Sequence, residues 1–370
     1  MTETPHQTAP TGPMTPFAPI HGPFTWTGPE MAARTDWIHE FSAPEIAEID
    51  AAVAAVQAQG RDILDIRQAD FPLPTLGPIL AGVREALVNG CGVNLMRGLP
   101  VDRWTVAQSA IAYWGLGCHL GDAVSQNPDG HVLGHVKDIG GSFHDLNARA
   151  GYQSRARLPF HTDLGADLVG LLCLKPAKAG GLSSVTNAMA MHNAMLDRRP
   201  DLLRLLAAPI HRDRRGEFIP GKAPTYEAPV FAYHAGYMTV TFVRRFVESA
   251  PRHPDVPPVT PELVEAMDLL EELAESDDLR LDMDFRAGDI QWINNLITFH
   301  SRTDFEDWPE PARRRHLLRL WLNLPNGWPL PPSYYERFGS AHDDGRPRGM
   351  HMPGVALSAP LDVANSSGKS

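Results

Sequence analysis

The chain has 370 residues, 43% hydrophobic and 21% charged, with a formal net charge of −11 at pH 7. That size and balance suit a soluble globular protein with one large core, and the acidity excludes a general attraction to nucleic acid or anionic membranes. Cys91, Cys118 and Cys173 are odd in number and far apart in sequence, which argues against a disulfide framework and for a reducing cytoplasm. No apolar run approaches bilayer length, and the Pro- and Thr-rich start lacks the basic and apolar regions of a secretory signal.

Residues 1–22 and 357–370 are dominated by small residues and proline or glycine and are expected to be disordered tails. Residues 23–356 then form a single domain. Its first part, about 40–90, is helical. Ser42-Ala43-Pro44-Glu45 opens a helix as a capping box, and Ile46, Ile49, Val53 and Val56 recur at helical spacing. A second helix is predicted from Thr75, as N-cap, to Leu87, stopping near Asn89-Gly90. Gly92 to Gly98 alternates and reads as a strand, and Thr105 to Gly117 as a third helix. Val132–Val136, Val169–Leu174 and Phe231–Val243 are β-rich. Pro261 to Ala274 reads as a helix with an acidic, solvated face and Leu263, Met267 and Leu270 turned inward. Gly288–His300 and His316–Leu324 are late β segments. The expected class is mainly β with flanking helices (α+β). Its core, about 91–330, is a double-sheet jelly roll carrying a helical insertion at about 260–275.

The strongest chemical signal is Leu158-Pro159-Phe160-His161-Thr162-Asp163. In an extended segment residues i and i+2 point the same way, so His161 and Asp163 can present an imidazole and a carboxylate to one ion. H-x-D alone is weak, and a surface or structural role is the ordinary reading of such a pair. A distal histidine completes a facial triad of the kind that suits iron(II) oxygenases. The candidate is His300, at the end of Gly288-Asp289-Ile290-Gln291-Trp292-Ile293-Asn294-Asn295-Leu296-Ile297-Thr298-Phe299-His300.

With the Gly-Gly segment Gly180-Gly181-Leu182-Ser183-Ser184 and the arginine strand Arg315-His316-Leu317-Leu318-Arg319-Leu320-Trp321, these pieces resemble the taurine dioxygenase family of the clavaminate synthase-like superfamily. The resemblance runs from roughly Gly90 to Pro331. It implies a double-stranded β-helix (jelly roll, cupin-like). It also implies an oxidoreductase with iron(II) on His161, Asp163 and His300, 2-oxoglutarate as co-substrate, and dioxygen. The expected reaction is hydroxylation of an unactivated C–H bond of a small polar or anionic molecule, with release of succinate and CO2. Desaturation and cyclisation stay open, as does the identity of the substrate. Because Asp163 is present, a halogenase is not the expected outcome.

Arginine offers a planar fork that holds a carboxylate by two parallel bonds. By resemblance Arg315 grips the far carboxylate of 2-oxoglutarate and Arg319 lies nearer the substrate, with the reverse order as the alternative. Arg313 and Arg314 read as a solvated basic loop, and His316 alternates to the other side of the strand. Ser183 or Ser184 is expected to complete the carboxylate clamp, unless they only satisfy a turn. Gln126 and Asn127 are candidates for bonding the substrate, the competing reading being a loop that bonds its own backbone. His131 and His135 have H-x-x-x-H spacing without helical signal or H-E-x-x-H, so no second metal site is expected. A zinc-type metallohydrolase and a non-catalytic jelly-roll binding protein are the alternatives, neither of which needs an arginine clamp. Oligomeric state is left open, with a homo-oligomer admissible.

Overall fold

The computed structural model describes residues 13–140, 151–216, 221–338, 349–350 and 352–362. Its strands can be read from alternation between two apolar cores. In Leu168–Lys175, Leu168, Leu172 and Leu174 pack toward helices, while Val169 and Cys173 pack toward the opposite face. Both faces are buried, which is why the run is apolar throughout. His316–Asn323 divides likewise: Leu318, Leu320 and Leu322 face the helices, and Leu317 and Trp321 face inward.

These strands belong to a sheet ordered Ile38–Glu40, Val93–Arg97, Ile290–Asn294, Leu168–Lys175, His316–Asn323, Asp122–Ala123, with Leu133–Val136 also paired to His316–Asn323. A four-stranded sheet has the order Arg280–Met283, Ser183–Asn187, Thr298–Arg302, Leu158–His161. Val93, Leu95, Val169, Ile293 and Leu317 of the first meet Val185, Leu281 and Met283 of the second in one core. Two facing sheets with helices outside are the jelly roll that the sequence predicts.

Helices Ala43–Ala58, Leu76–Asn89 and Val106–Cys118 cover the outer face of the larger sheet. Glu45 accepts from the Ser42 N–H at 2.7 Å, as the capping box predicts, and Thr105 caps its own helix by accepting from the Gln108 N–H at 3.2 Å. Thr75 makes no side-chain cap. Glu48 of the preceding helix instead accepts from the N–H groups of Thr75 and Leu76 at 2.8 and 2.9 Å.

Ala188–Arg198, Pro200–Leu206 and Pro261–Glu275 pack their apolar side chains into a second outer core with Phe160 and Phe299 of the smaller sheet. The first two lie where no helix was expected. Asn187 ends a strand and caps the first through the Ala190 N–H at 2.9 Å. The acidic face of Pro261–Glu275 is not merely solvated. Glu265, Asp268, Glu271, Glu272 and Glu275 pair with arginines 199, 244, 244, 198 and 157.

Gly288–His300, expected as one β segment, is two strands in different sheets. Asn294 Oδ1 accepts from the Leu296 N–H at 3.0 Å and the Asn294 carbonyl accepts from the Thr298 hydroxyl at 2.7 Å, so the Asn-Asn pair turns the chain. The expected tails are also shorter than composition suggests. Met14 and Ile20 are buried, and Asn193 bonds both the N–H and the carbonyl of Ile20. At the other end, Ser358 donates to the Gly130 carbonyl and accepts from the Val132 N–H, each at 2.9 Å. Partners distant in sequence supply bonds that composition cannot reveal.

Gly170 lies at the centre of the larger sheet, where a Cβ would stand 2.2 Å from Trp292 and 2.4 Å from the Tyr113 hydroxyl. Both rings are fully buried. Gly170→Ala should therefore cost about 1–3 kcal/mol of stability through overpacking. The expected signature is a lower urea midpoint at unchanged slope; an unchanged midpoint would mean that the rings can yield.

Candidate active site

His161 ends the strand Leu158–His161, and His300 lies at the centre of Thr298–Arg302. The antiparallel register sets these two residues directly opposite each other. Opposed residues in a ladder project to the same face, and the ring centroids stand 4.2 Å apart. Asp163, two residues past His161, completes the group: one ligand atom from each of the three side chains lies within 4.8 Å of the others.

The surroundings suit a divalent metal. His161 Nδ1 lies 2.8 Å from the Pro159 carbonyl, which it can donate to, leaving Nε2 for an ion. His300 Nδ1 is buried with no hydrogen-bond partner among the described residues. Burial holds both imidazoles below their ordinary pKa, His300 at about 3, so both are neutral, as metal ligation requires. Burial alone would raise the Asp163 carboxyl, but the charge of Arg319 and the hydrogen bond from Trp321 hold it below its usual range. Arg319 Nη1 lies 3.3 and 3.2 Å from its two oxygens, and Trp321 Nε1 donates to Oδ2 at 2.8 Å. Two neutral imidazoles beside an ionised carboxylate form a donor set that fits iron(II).

Asn295 fixes the backbone of Asp163. Its Oδ1 accepts from the Asp163 N–H at 2.8 Å, and its Nδ2 donates to the Asp163 and Ala166 carbonyls at 2.6 and 2.9 Å. Sequence reasoning quoted this residue within a motif but gave it no task.

A cavity beyond the two histidines is lined by Ser183, Ser301, Arg302 and Arg315. The Arg302 and Arg315 Nη1 atoms are buried and have no hydrogen-bond partner among the described residues. Burial lowers their pKa values to about 9 and about 10, the charge of Arg315 adding to the effect on Arg302. Arg302 is a second missed residue. Its signal was its position two past His300, on the same face of the strand.

Of the two candidate serines, Ser183 lines this cavity, with its hydroxyl 3.4 Å from Gln291 Oε1. Ser184 turns to the opposite face and donates to Asp282 at 2.6 Å, so it is not placed to hold a ligand there.

The wider cleft outside the triad includes Gln126, Asn127, Tyr152, Arg245, Arg337 and Met350 in its wall. Gln126 is committed to the protein. Its amide donates to the Val132 and Arg319 carbonyls, and its oxygen accepts from Arg319 Nε at 2.8 Å. Asn127 Oδ1 accepts from the backbone of Asp129 and His131, both at 3.1 Å. These contacts match the competing reading of a loop that bonds its own backbone, while both residues also line the cleft. Arg319 turns Nη1 to Asp163 and at the same time lines the cleft. Arg313 and Arg314 are exposed, as a basic loop should be. His135 lies 2.8 Å from His316 on the far face of the sheet, so neither belongs to the triad. Arg245 and Arg337 come from short helices, Arg244–Glu248 and Ser333–Phe338, whose sequences carry no signal of a site.

Comparisons with known proteins agree with this geometry. The family model "Taurine catabolism dioxygenase TauD, TfdA family" matches residues 57–321. FR-33289 synthase of Streptomyces rubellomurinus is 33% identical over 85% of this chain and 93% of its own length. Taurine hydroxylase-like protein SAT17 of Stachybotrys chartarum is 30% identical over 85% of this chain and 82% of its own length. Among solved structures, an asparagine oxygenase in complex with Fe(II), 2S,3S-3-hydroxyasparagine and succinate shares the fold, with TM-score 0.58 and 21% identity over 84% of this chain and 98% of that one. The non-heme iron oxygenase OrfP, in complex with Fe and alpha-ketoglutaric acid, also has TM-score 0.58, at 16% identity over 77% of this chain and 93% of its own. Neither a zinc hydrolase nor a non-catalytic binding protein finds support. The chain belongs to the taurine catabolism dioxygenase TauD, TfdA family and is a 2-oxoglutarate-dependent non-haem iron dioxygenase.

Proposed function

We propose that His161, Asp163 and His300 hold the iron(II) and that Arg315, with Arg302 and Ser183, grips the far carboxylate of 2-oxoglutarate. The substrate is then a small polar or anionic molecule in the adjoining cleft, hydroxylated at an unactivated C–H bond. The observation that carries this reading is the pair of buried guanidinium tips of Arg302 and Arg315, open to hydrogen bonding in the cavity that His161 and His300 also line. Buried cations left without a counter-charge are costly, and a carboxylate seated between them would relieve that cost. Arg315 is preferred to Arg319 because Arg319 is already engaged by Asp163 and Gln126.

Bound at this site, iron(II) and 2-oxoglutarate supply the oxidising power for dioxygen activation, with succinate and CO2 as co-products. The protein supplies position. Arg319 and the Trp321 N–H hold Asp163 ionised and oriented, while Gln126 fixes Arg319. Tyr152, Phe246 and Met350 narrow the cleft and exclude water. We read residues 23–356 as one dioxygenase unit, with 13–22 and 357–362 packed onto it. A reducing, cytoplasmic setting is supported by three free thiols. Among the described residues no helix is long and apolar enough to cross a membrane.

Purified protein with iron(II), ascorbate and air should convert 2-oxoglutarate to succinate, and His161→Ala should abolish it. Absence of succinate across a broad substrate panel, with His161→Ala indistinguishable from wild type, would sink the proposal. Arg315→Ala should raise the half-saturating 2-oxoglutarate concentration roughly 10–100-fold, the worth of hydrogen bonds to a charged group, while leaving iron binding nearly unchanged. Equal loss of both would contradict the assigned clamp. Trp321→Phe removes one bond to Asp163 and should weaken iron(II) affinity about 10–100-fold, measured by equilibrium titration, with the circular dichroism spectrum preserved.

A further inference from the structure

Besides the three large apolar cores, Leu164, Phe246 and Met350 form a small cluster of their own, with Val243 packed against it. All four side chains line the cleft. Leu164 directly follows the ligand Asp163, so the cluster begins beside the triad. Phe246 comes from the helix Arg244–Glu248, and Val243 is its N-cap. Met350 comes from the chain beyond residue 321, where the family match ends.

Backbone contacts fix where Met350 stands. Gly349 pairs with Ser125 in a parallel bridge, and the Met350 N–H donates to the Ser125 carbonyl at 2.9 Å. Gly349 has a φ of +66°, and a Cβ there would lie 2.3 Å from the Ser125 carbonyl oxygen. Glycine alone lets the chain close on Ser125 at this point. The segment 352–362 is tied further along the same stretch of chain. Ser358 bonds Gly130 and Val132 through its backbone, each at 2.9 Å, and His135 Nε2 lies 2.6 Å from the Pro360 carbonyl. Met350 is the residue that reaches inward, and it is only 4% exposed.

Charged groups in the cleft wall are paired with one another. Arg319 meets Asp163, and Glu248 and Glu271 both pair with Arg244. The apolar cluster offers something different. An unactivated C–H bond belongs to an alkyl carbon, which has neither charge nor hydrogen bond by which to be aimed. Apolar contact is the force that holds such a carbon directly. A methionine suits that task, because its flexible, polarisable thioether adapts to the shape beside it.

We propose that Met350, with Leu164 and Phe246, seats the alkyl part of the primary substrate beside the triad and sets the chain length that fits. The proposal rests on the reading of the cleft as the substrate site. It narrows the substrate to an amphipathic small molecule, polar at one end and aliphatic where it is oxidised. It also makes a residue outside the family-matched region the determinant of specificity.

The test titrates acetamide, butyramide and hexanamide into the full chain, with iron(II) and saturating 2-oxoglutarate present and oxygen excluded. These probes share a neutral head and differ only in alkyl length. Calorimetry reads their binding, and the visible absorption of the iron(II)–2-oxoglutarate complex reads the triad and clamp separately. Wild type should bind butyramide about 15-fold more tightly than acetamide, the worth of burying two methylenes. Met350→Trp should remove that gain by filling the seat. Met350→Ala should add a gain for hexanamide over butyramide by lengthening it. Both variants should retain the absorption, which shows that the site is folded. Leu205→Ala lies in an exposed apolar groove that shares no lining residue with the cleft, and it should bind as wild type does. Equal affinity for the three amides in wild type, an unchanged length dependence in either Met350 variant, or the same change in Leu205→Ala would each overturn the proposal. The expected length dependence without the absorption would instead remove the assigned metal and 2-oxoglutarate roles and leave the alkyl seat standing.

Discussion

The opposition of His161 and His300 across one antiparallel ladder is the constraint on which the rest of the site depends. A slip of one residue in that register would turn one imidazole to the opposite face and break up the donor set. The register is held from both sides. Thr298–Arg302 is laddered continuously to Ser183–Asn187 on its other edge, with Phe299 opposite Thr186 and His300 opposite Val185. Just before it, the Asn294-Asn295 turn fixes where the strand begins, and Asn295 ties that turn to the backbone of Asp163. One pair of asparagines therefore sets the phase of the His300 strand and locks the carboxylate that completes the triad.

Electrostatics inside the jelly roll run opposite to those of the whole chain. The protein is acidic overall, yet its interior collects Arg302, Arg315 and Arg319 around the triad, and Arg212 and Arg337 beside the cleft. Net charge governs long-range attraction to extended polyanions; it says little about a cavity lined by buried side chains. Within that cavity the arginines divide their work. Arg319 meets the carboxylate of Asp163, and its guanidinium lies 4.3 Å from the Tyr152 ring centroid. Arg302 and Arg315 retain hydrogen-bonding capacity toward a ligand.

The outer wall of the cleft is borrowed from elements distant in sequence. Helix Arg244–Glu248 is tied to Pro261–Glu275 through Arg244, which contacts Asp268 and Glu271 at 2.7 and 2.6 Å. Exposed ion pairs contribute little stability one by one, but these fix the angle at which Arg245 and Phe246 enter the wall. Met350 reaches the cleft because its N–H bonds the Ser125 carbonyl at 2.9 Å. The acidic helix that reads as an insertion thus acts as a buttress for the outer wall of the cleft.

By itself the sequence determined the elements with strong periodicity or local caps: the helices opened by Ser42 and Thr105, the strands at Val93–Arg97, Leu133–Val136, Leu168–Lys175 and His316–Asn323, and the i, i+2 pairing of His161 with Asp163. It also determined that Arg315 and Arg319 lie four apart on a strand, hence on one face, with His316 on the other. Those features follow from the period of the backbone and from bonds between near neighbours. Tertiary structure alone decided what each polar side chain bonds. Ser183 and Ser184 differ by one position, yet only one lines the cavity. Gln126 and Asn127 line the cleft, but that Arg319 and a turn also bond them came only from the fold. Arg302 and Asn295 acquired their surroundings from strands paired far along the chain. Side-chain partners across sheets depend on register and on which neighbour arrives first in space, and neither is encoded in spacing along a single segment.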